Sequence, residues 1–342
     1  MSDPDVRQLR YFVAVAEERH FGRAAERLGI AQPPLSRAIR ELERQLGVEL
    51  LQRTTRQVTI TPAGETLLRD ARVALDAVSA AARRARNVGS DQPLLRVAIK
   101  ADFDAGLLPS ILEAYKAEPE ALPVDLLFGT RGAQVPALHD GRADVAILPL
   151  PYDDSGVDWE PLLTEPRLLA VAATDPLARR SRLRLGDLAG KLLPDGSPAE
   201  SGEAAPPPAH RRKDRPGVDL AMILNLAELG ETVFFAPLSV AQRHVRPGIA
   251  YREVEDLGPS TLTVAWPAVS RSPAVAAFVR VAARVATESG VRPDDPDLAA
   301  GSGVRDLVRL GGTFQREGVA DHFVGMQTPA DEILQQLGHP NG

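Results

Sequence analysis

The fold of the first part of the chain is decided by residues 21–46, which read FGRAAERLGIAQPPLSRAIRELERQL. The first eight of these residues predict a short helix, which Gly29 ends because glycine adopts the left-handed conformation at little cost. Pro33 and Pro34 then occupy the first turn leading into a helix over 35–46, where a missing N–H group costs nothing. Apolar side chains spaced three and four residues apart predict the buried stripe of that helix: Leu35, Ile39, Leu42 and Leu46. Two helices joined by a tight turn predict a helix-turn-helix.

The other face of the second helix carries side chains suited to DNA. The predicted contacts at its start and along its exposed side are Gln32, Pro33, Pro34, Ser36, Arg37 and Arg40. Glutamine and arginine can make paired hydrogen bonds to adenine and guanine edges in the major groove, and serine reaches a phosphate or a base. The alternative is a plain three-helix bundle whose arginines form a solvated face.

The segments on either side favour the DNA-binding interpretation. Residues 9–16 repeat apolar side chains at helical spacing, which predicts a preceding helix. Residues 48–61 predict a β-hairpin, or wing, with Arg53 and Arg56 at its tip. A wing beside a helix-turn-helix can place arginine in a narrow minor groove. The first 61 residues are therefore expected to form a winged helix-turn-helix domain.

A long linker helix is predicted after the wing, within 62–90. Thr61 and Pro62 are a typical N-cap and first helical residue. Apolar side chains alternate three and four residues apart and predict a dimerisation seam: Leu68, Ala71, Leu75, Val78 and Ala82. Burial of this seam inside the same chain is the alternative, but nothing before it is large enough to cover its length. A homodimer contact is therefore favoured.

Charge is divided unevenly along the chain. Residues 1–90 contain 15 arginines, no lysine and 11 acidic residues, a net charge of +4. The remaining residues contain 25 basic and 35 acidic side chains, a net charge of −10. Only the first part is therefore expected to meet phosphate groups. Chance asymmetry between two soluble domains would produce the same division, so the charge supports the DNA-binding interpretation without deciding it.

Residues 9–68 resemble the DNA-binding domain of LysR-type transcriptional regulators. Three motifs carry the resemblance: the paired alanines of FGRAAERL, the QPPLSR opening of the second helix, and the closing TPAG. The wording HFGRAAERLGIAQPPLSR is closest to the branch that contains regulators of aromatic-compound degradation. The resemblance implies that Gln32, Pro33, Ser36 and Arg37 face the major groove and that Arg53 serves the wing. Leu51 replaces a usual phenylalanine, a change expected to alter packing but not DNA contacts.

Residues 91–289 predict an α/β domain. Short apolar strands alternate with helical segments from residue 94 onward, a pattern typical of a parallel sheet. The stretch resembles the bilobal, periplasmic-binding-protein-like effector domain of the same family. The resemblance implies a first lobe of about 94–167 and 266–289 and a second lobe of about 168–265. Residues 290–342 form an extension of unassigned role, and 195–217 a proline-rich and basic loop.

Loops after the first strands of this domain are the predicted effector site. Ligands of such sheets lie beyond the carboxyl ends of strands and between lobes. The predicted contacts are Lys100, Ala101, Asp102, Thr130 and Arg131, with a third loop at 195–201. Asp102 departs from the serine common in the family and would repel a carboxylate effector, for which Lys100 or Arg131 could compensate. The alternative is that these side chains only cap helices.

Other function classes find little support. The chain has no cysteine, its six histidines lack metal-ligand spacing, and no complete nucleotide-binding or hydrolase motif is present. We therefore expect no enzyme activity, metal or cofactor. No export signal or membrane span is visible, which predicts a cytoplasmic protein. The predicted partners are double-stranded DNA, a small-molecule effector and further copies in a homodimer or tetramer, with RNA polymerase as a further candidate. A ligand-independent architectural DNA-binding protein is the alternative function.

Overall fold

A computed structural model describes residues 4–53, 58–203 and 219–289 of the chain. Arg56, the extension 290–342 and most of the 195–217 loop lie outside the described residues. The DNA-binding part contains three short helices, two wing strands and a long helix: α1 Val6–Glu18, α2 Phe21–Leu28, α3 Gln32–Leu46, β1 Leu51–Arg53, β2 Val58–Ile60 and α4 Pro62–Val88.

The sequence explains where these helices begin and end. The Asp5 carboxylate accepts the backbone N–H of Gln8, and the Gln8 amide oxygen accepts that of Asp5, a capping box for α1. Gly29 follows α2 with a φ of 67°, as expected for a left-handed cap. The helix α3 begins at Gln32 instead of residue 35, because both prolines lie within its first turn and remove donors that would otherwise need partners.

The core of this domain is the apolar side of the helix-turn-helix. Phe12, Leu35, Ile39 and Leu42 are fully buried, so the predicted stripe of α3 does face inward. Ala24 and Ala25 are also buried, and their small size lets α2 lie close to its neighbours. Leu51 packs in the same cluster, which agrees with a packing role for this departure from the family.

The first lobe of the α/β domain is a five-stranded sheet with helices on both faces. Its elements are β3 Leu95–Lys100, α5 Leu108–Lys116, β4 Val124–Gly129, α6 Gln134–His139, β5 Val145–Pro149, β6 Val157–Glu165, β10 Ser260–Pro267 and α9 Pro273–Glu288. The strand order is β4-β3-β5-β10-β6. Alternation within β3 turns Val97 and Ile99 towards α5 and α9, and Ala98 towards α6.

Two features of this lobe differ from the sequence prediction. The strand β6 was not predicted, because Pro161 and several acidic residues interrupt its apolar pattern; it is an edge strand with a register shift, where proline is tolerated. The strand β10 pairs with β5 and β6, so the chain returns to the first lobe before Ser260. The predicted boundary at 265/266 is therefore wrong by one strand.

The second lobe contains a three-stranded sheet. Its elements are β7 Arg167–Ala172, α7 Leu220–Glu228, β8 Phe234–Pro237, α8 Leu238–Arg243 and β9 Ile249–Glu253, with the order β8-β7-β9. Both neighbours run antiparallel to β7. The expectation of a parallel sheet therefore holds for β3, β4 and β5 but is wrong here. No helix within the described ranges is long and apolar enough to span a membrane.

Candidate DNA-binding face and effector crevice

The predicted recognition residues share one exposed surface of α3. Exposed or half-buried side chains follow the helix outward from its start: Gln32, Pro33, Pro34, Ser36, Arg37 and Arg40. Gln32, Ser36 and Arg40 are four residues apart and therefore lie along one line of the helix surface. This surface is opposite the buried leucine stripe, which leaves it free to enter a major groove.

The wing is held against α3 by a contact that the sequence did not reveal. Glu43 of α3 accepts the backbone N–H groups of Leu50 and Leu51, both at 3.1 Å. The register pairs Leu51 with Ile60 and Arg53 with Val58, the last pair that the structure describes in the wing. These contacts fix the start of the wing relative to the recognition helix.

A partly buried ion-pair cluster joins three helices of the DNA-binding part. Glu17 of α1 lies 2.7 Å from the guanidinium of Arg27 on α2 and 2.7 Å from that of Arg72 on α4. Burial opposes ionisation of Glu17, but the hydrogen bonds from Arg72 and Arg27 together outweigh it and hold its pKa below the ordinary value. Charged residues at helical spacing are usually solvated, so sequence reasoning had no signal for this cluster.

The linker helix exposes a narrower seam than the sequence predicted. Ala71 is only 2% exposed and Leu68 packs against the core of the chain's own DNA-binding domain. Ala71 is therefore covered within its own chain and Leu68 is partly covered, which corrects the prediction for these two of the five seam residues. Leu75 is half-buried, whereas Val78 and Ala82 are exposed. Exposed apolar side chains continue beside Val78 along the same helix: Val73, Ala74, Ala77 and Ala81.

The predicted effector loops meet at Lys100. Its side chain is 9% exposed, and its ammonium lies 3.2 Å from the centre of the Phe103 ring. Burial and the nearby Arg131 guanidinium lower the pKa of Lys100 to about 7, while the Asp102 carboxylate acts in the opposite direction. Thr130 and Arg131 are half-buried, and Ala101 and Asp102 are exposed. The fold therefore brings the charges of Lys100, Arg131 and Asp102 into one region.

The loop after β3 is docked onto the second lobe. Phe103 is buried in the core cluster of that lobe and meets Phe234 edge-on, with ring centres 6.5 Å apart. Asp104 lies 2.7 Å from the guanidinium of Arg243, and Asp102 lies 3.5 Å from Nε2 of His244. Sequence reasoning missed Phe103, Arg243 and His244, because the two sides are about 140 residues apart in the chain.

This docking carries backbone strain and leaves little room. Asp102 and Ala105 have positive φ angles of 66° and 51°. This left-handed backbone conformation is unfavourable for residues other than glycine. A cavity between the lobes, lined by Phe103, Glu165 and Ser239 among others, measures about 10 Å³. Such a volume is the size of one water molecule, not of a metabolite. The space between the lobes beside Phe103 is therefore filled by side chains.

An acidic side chain of the third predicted loop stabilises its own turn. Asp195 accepts the backbone N–H of Ser197 at 3.0 Å and its hydroxyl at 2.6 Å, so its carboxylate is engaged in its own turn. Within the described part of the chain, no group of three or more acidic or histidine side chains is placed to hold a metal ion.

These features define a winged helix-turn-helix protein with a bilobal ligand-binding-type domain, joined by a long helix. Residues 6–65 match the family described as "Bacterial regulatory helix-turn-helix protein, lysR family", and residues 89–287 match "LysR substrate binding domain". The chain belongs to the LysR family of bacterial transcriptional regulators.

Similar proteins extend over most of the chain. The Hca operon transcriptional activator HcaR of Escherichia coli K12 is 29% identical over 286 residues, covering 81% of this chain and 96% of HcaR. The regulator IlvR of Caulobacter vibrioides is 32% identical over 304 residues, covering 85% of this chain and all of IlvR. The crystal structure of the LysR family regulator CbnR is 27% identical, with a TM-score of 0.52, and covers 83% of this chain and 99% of CbnR.

The comparisons confirm the family, the fold class and the general function predicted from sequence. The relatives are named as transcriptional regulators and activators, in agreement with a DNA-binding regulator and not with an enzyme. The matched families assign the two parts of the chain to DNA binding and to a substrate-binding type of domain.

Proposed function

We propose that this chain binds an operator as a homo-oligomer and that a small anionic effector, bound between the lobes of residues 91–289, alters that binding. In this proposal Gln32 and Arg37 read base edges, and Ser36 and Arg40 contact phosphates. The wing residues Arg53 and Arg56 enter the adjacent minor groove. The exposure of the α3 residues supports these roles.

The oligomer is proposed to form through the exposed apolar side of α4, around Val78 and Ala82. A symmetric dimer places two recognition helices on an inverted repeat, and two such dimers give the tetramer inferred for this family. RNA polymerase remains a proposed partner, and the cytoplasm, where the DNA is, is the proposed location.

The observation that carries the effector proposal is Lys100, whose side chain is largely buried and whose ammonium lies 3.2 Å from the centre of the Phe103 ring. No residue of the described ranges forms a hydrogen bond or a close ion pair with this ammonium. Burial and the neighbouring Arg131 disfavour its positive charge, and the Asp102 carboxylate offsets this only in part, since the pKa of Lys100 remains lowered. A carboxylate between Lys100 and Arg131 would relieve both costs through charge-assisted hydrogen bonds.

The contacts of Asp102 weaken the objection that this carboxylate would repel such a ligand. Asp102 lies 3.5 Å from Nε2 of the His244 imidazole in the second lobe, which offers its carboxylate a partner other than Lys100. The proposed ligand class is therefore a carboxylate, with an aromatic one as the first to test.

Binding requires the loop or the lobes to move. Phe103 packs into the second lobe, and the cavity beside it is far smaller than a metabolite needs. We expect the effector to select an arrangement in which the Phe103 ring leaves the second lobe. The backbone strain at Asp102 and Ala105 lowers the cost of that release.

The test is calorimetric titration of the full chain with sodium benzoate and with benzylamine, an amine of similar size. Benzoate is expected to bind and to alter operator affinity, and Lys100→Met should weaken its binding at least about tenfold. Lys116→Met is the matched control, because Lys116 is 71% exposed on α5. If every carboxylate that alters operator binding binds Lys100→Met normally, the assignment fails. If no small acid or amine alters operator binding, the alternative of a ligand-independent architectural DNA-binding protein gains support.

A further inference from the structure

The short helix α6 connects the proposed effector site with the linker helix. It begins directly after the loop that carries Thr130 and Arg131, and its six residues span about 9 Å. Gln134, in its first turn, is 3% exposed and donates a hydrogen bond from Nε2 to the carbonyl of Gly129 at 3.3 Å. This hydrogen bond ties the start of α6 to the end of β4, on either side of the loop.

The other end of α6 is docked onto α4. Gly141, with a φ of 73°, lies so close to Ala80 that a Cβ atom at Gly141 would be 2.6 Å from the Ala80 Cα. Ala80 is 2% exposed, whereas the next six residues of α4 are exposed. The backbone at Gly141 thus packs directly against the backbone of α4 at Ala80. No flexible side chain lies between them that could adapt to a movement of either element.

Charged groups surround this contact on both elements. Asp76 lies one turn before Ala80, and burial together with the nearby Asp140 carboxylate raises its pKa, while His139, Arg142 and Arg72 act in the opposite direction. Asp140 is itself held by Arg142, with 2.7 Å between Nε and Oδ2. The end of α6 therefore meets α4 through a packed and charged surface.

The same helix α4 is tied to the DNA-binding domain. Arg72, one turn before Asp76, binds Glu17 of α1, which in turn binds Arg27 of α2, the helix that precedes the recognition helix. Packed contacts thus run without a gap from the loop at Thr130 to the helix-turn-helix. Contacts of this kind change between discrete arrangements instead of deforming gradually.

We propose that α6, through the contact of Gly141 with Ala80, transmits the state of the effector crevice to the DNA-binding domain. Gly141 and Ala80 are positioning residues in this scheme, since neither touches effector or DNA. The proposal rests on the proposed function for the effector at Lys100 and Arg131. Coupling between two sites is reciprocal. Operator binding is therefore expected to change the contact of Gly141 with Ala80 even when no effector is present.

The first test compares Gly141→Ala with Gly156→Ala in operator affinity. Both glycines have a positive φ, 73° and 76°, so both substitutions strain the backbone alike, but a Cβ at Gly156 meets nothing within 4 Å. Gly141→Ala should weaken binding to a duplex selected in vitro with the wild-type chain by at least about fivefold relative to Gly156→Ala. Equal affinities for the two variants would overturn the proposal.

A second measurement covers the case in which Gly141→Ala does not fold. The chain has no cysteine, so Ala80→Cys and the exposed Val269→Cys of the α/β domain each provide a single thiol whose labelling rate can be followed by mass spectrometry. The selected duplex should change the rate at Ala80→Cys by at least about fivefold and leave the rate at Val269→Cys unchanged. An unchanged rate at Ala80→Cys would overturn the proposal. Failure of the effector assignment appears separately, as normal carboxylate binding by Lys100→Met.

Discussion

The carboxylate of Asp104 in the first lobe lies 2.7 Å from the guanidinium of Arg243 in the second lobe. Asp104 is buried and Arg243 is partly exposed, so this pair is one of the contacts that hold the loop after β3 against the second lobe. Asp104 directly follows Phe103, the side chain that packs into the core of that lobe.

Removing this pair should release the loop. Arg243→Gln leaves the Asp104 carboxylate without its partner, a change that costs more than an exposed ion pair would. Hydrogen exchange of the amides in 101–107 should therefore become faster, while the amides of α3 keep their wild-type protection. Arg246→Gln, which breaks an ion pair with Glu228 inside the second lobe, is the control. Wild-type exchange in 101–107 of Arg243→Gln would show that the pair does not hold the loop.

The Glu17 cluster should make the DNA-binding domain sensitive to acid. Glu17→Gln removes the charge that pairs with Arg27 and Arg72, with an expected loss of about 1–2 kcal/mol in the free energy of unfolding at neutral pH. Because the folded pKa of Glu17 lies below its ordinary value of 4.5, its contribution is present above that value and is lost as the pH falls through the folded pKa.

Urea unfolding at neutral and acidic pH measures this contribution. The difference between wild type and Glu17→Gln should shrink as the solution becomes more acidic than about pH 4. Glu26→Gln, on the exposed face of α2, should change little at either pH. A Glu17→Gln difference that is absent at neutral pH would show that burial of these charges offsets their attraction.

The exposed apolar side of α4 should mediate assembly. Val78→Glu would place two unpaired carboxylates in a symmetric contact, which is costly. Sedimentation of Val78→Glu should reveal a lighter species than the wild type. Val269→Glu introduces the same charge at a side chain that is 70% exposed in the α/β domain and should leave the mass unchanged. If Val78→Glu sedimented with the mass of the wild type, the oligomer would form through a surface other than this side of α4.

Carboxylate binding should weaken as the pH rises above neutrality. Lys100 has a pKa of about 7, so its amine is charged below that pH and loses its charge above it. Benzoate affinity should fall by up to about tenfold for each pH unit above about 7. Lys100→Arg keeps its charge and should bind with little dependence on pH across the same range. If the benzoate affinity of the wild type were equally independent of pH, benzoate would not bind to the Lys100 ammonium.

The helix-turn-helix could be predicted from sequence because its signals are local. Gly29, the Pro33-Pro34 pair and the leucine spacing of α3 each determine structure within a few residues. The same holds for the charge and polarity of the recognition face. Lys100 and Arg131 could be placed at one site because the carboxyl ends of neighbouring parallel strands meet at one edge of a sheet.

The closed state of that site could not be predicted. Phe103 is one apolar residue within a polar loop, and nothing in its neighbourhood indicates that it packs into another lobe. The Asp104–Arg243 pair joins residues 139 positions apart, and the Glu17–Arg72 pair joins residues 55 apart. Such pairings depend on how the whole chain folds, and the antiparallel order of the second lobe and the position of β10 depend on it in the same way.

The central claim is that α3 reads DNA sequence, and Arg37 tests it most directly. Arg37→Ala should lose about 1–3 kcal/mol of binding to a duplex selected with the wild-type chain, measured by fluorescence anisotropy, and much less to an unrelated duplex. Arg44→Ala is the matched control, because Arg44 lies on the same helix and is paired with Glu41. If Arg37→Ala and Gln32→Ala both bind the selected duplex as tightly as the wild type and Arg44→Ala do, the recognition-helix assignment is contradicted.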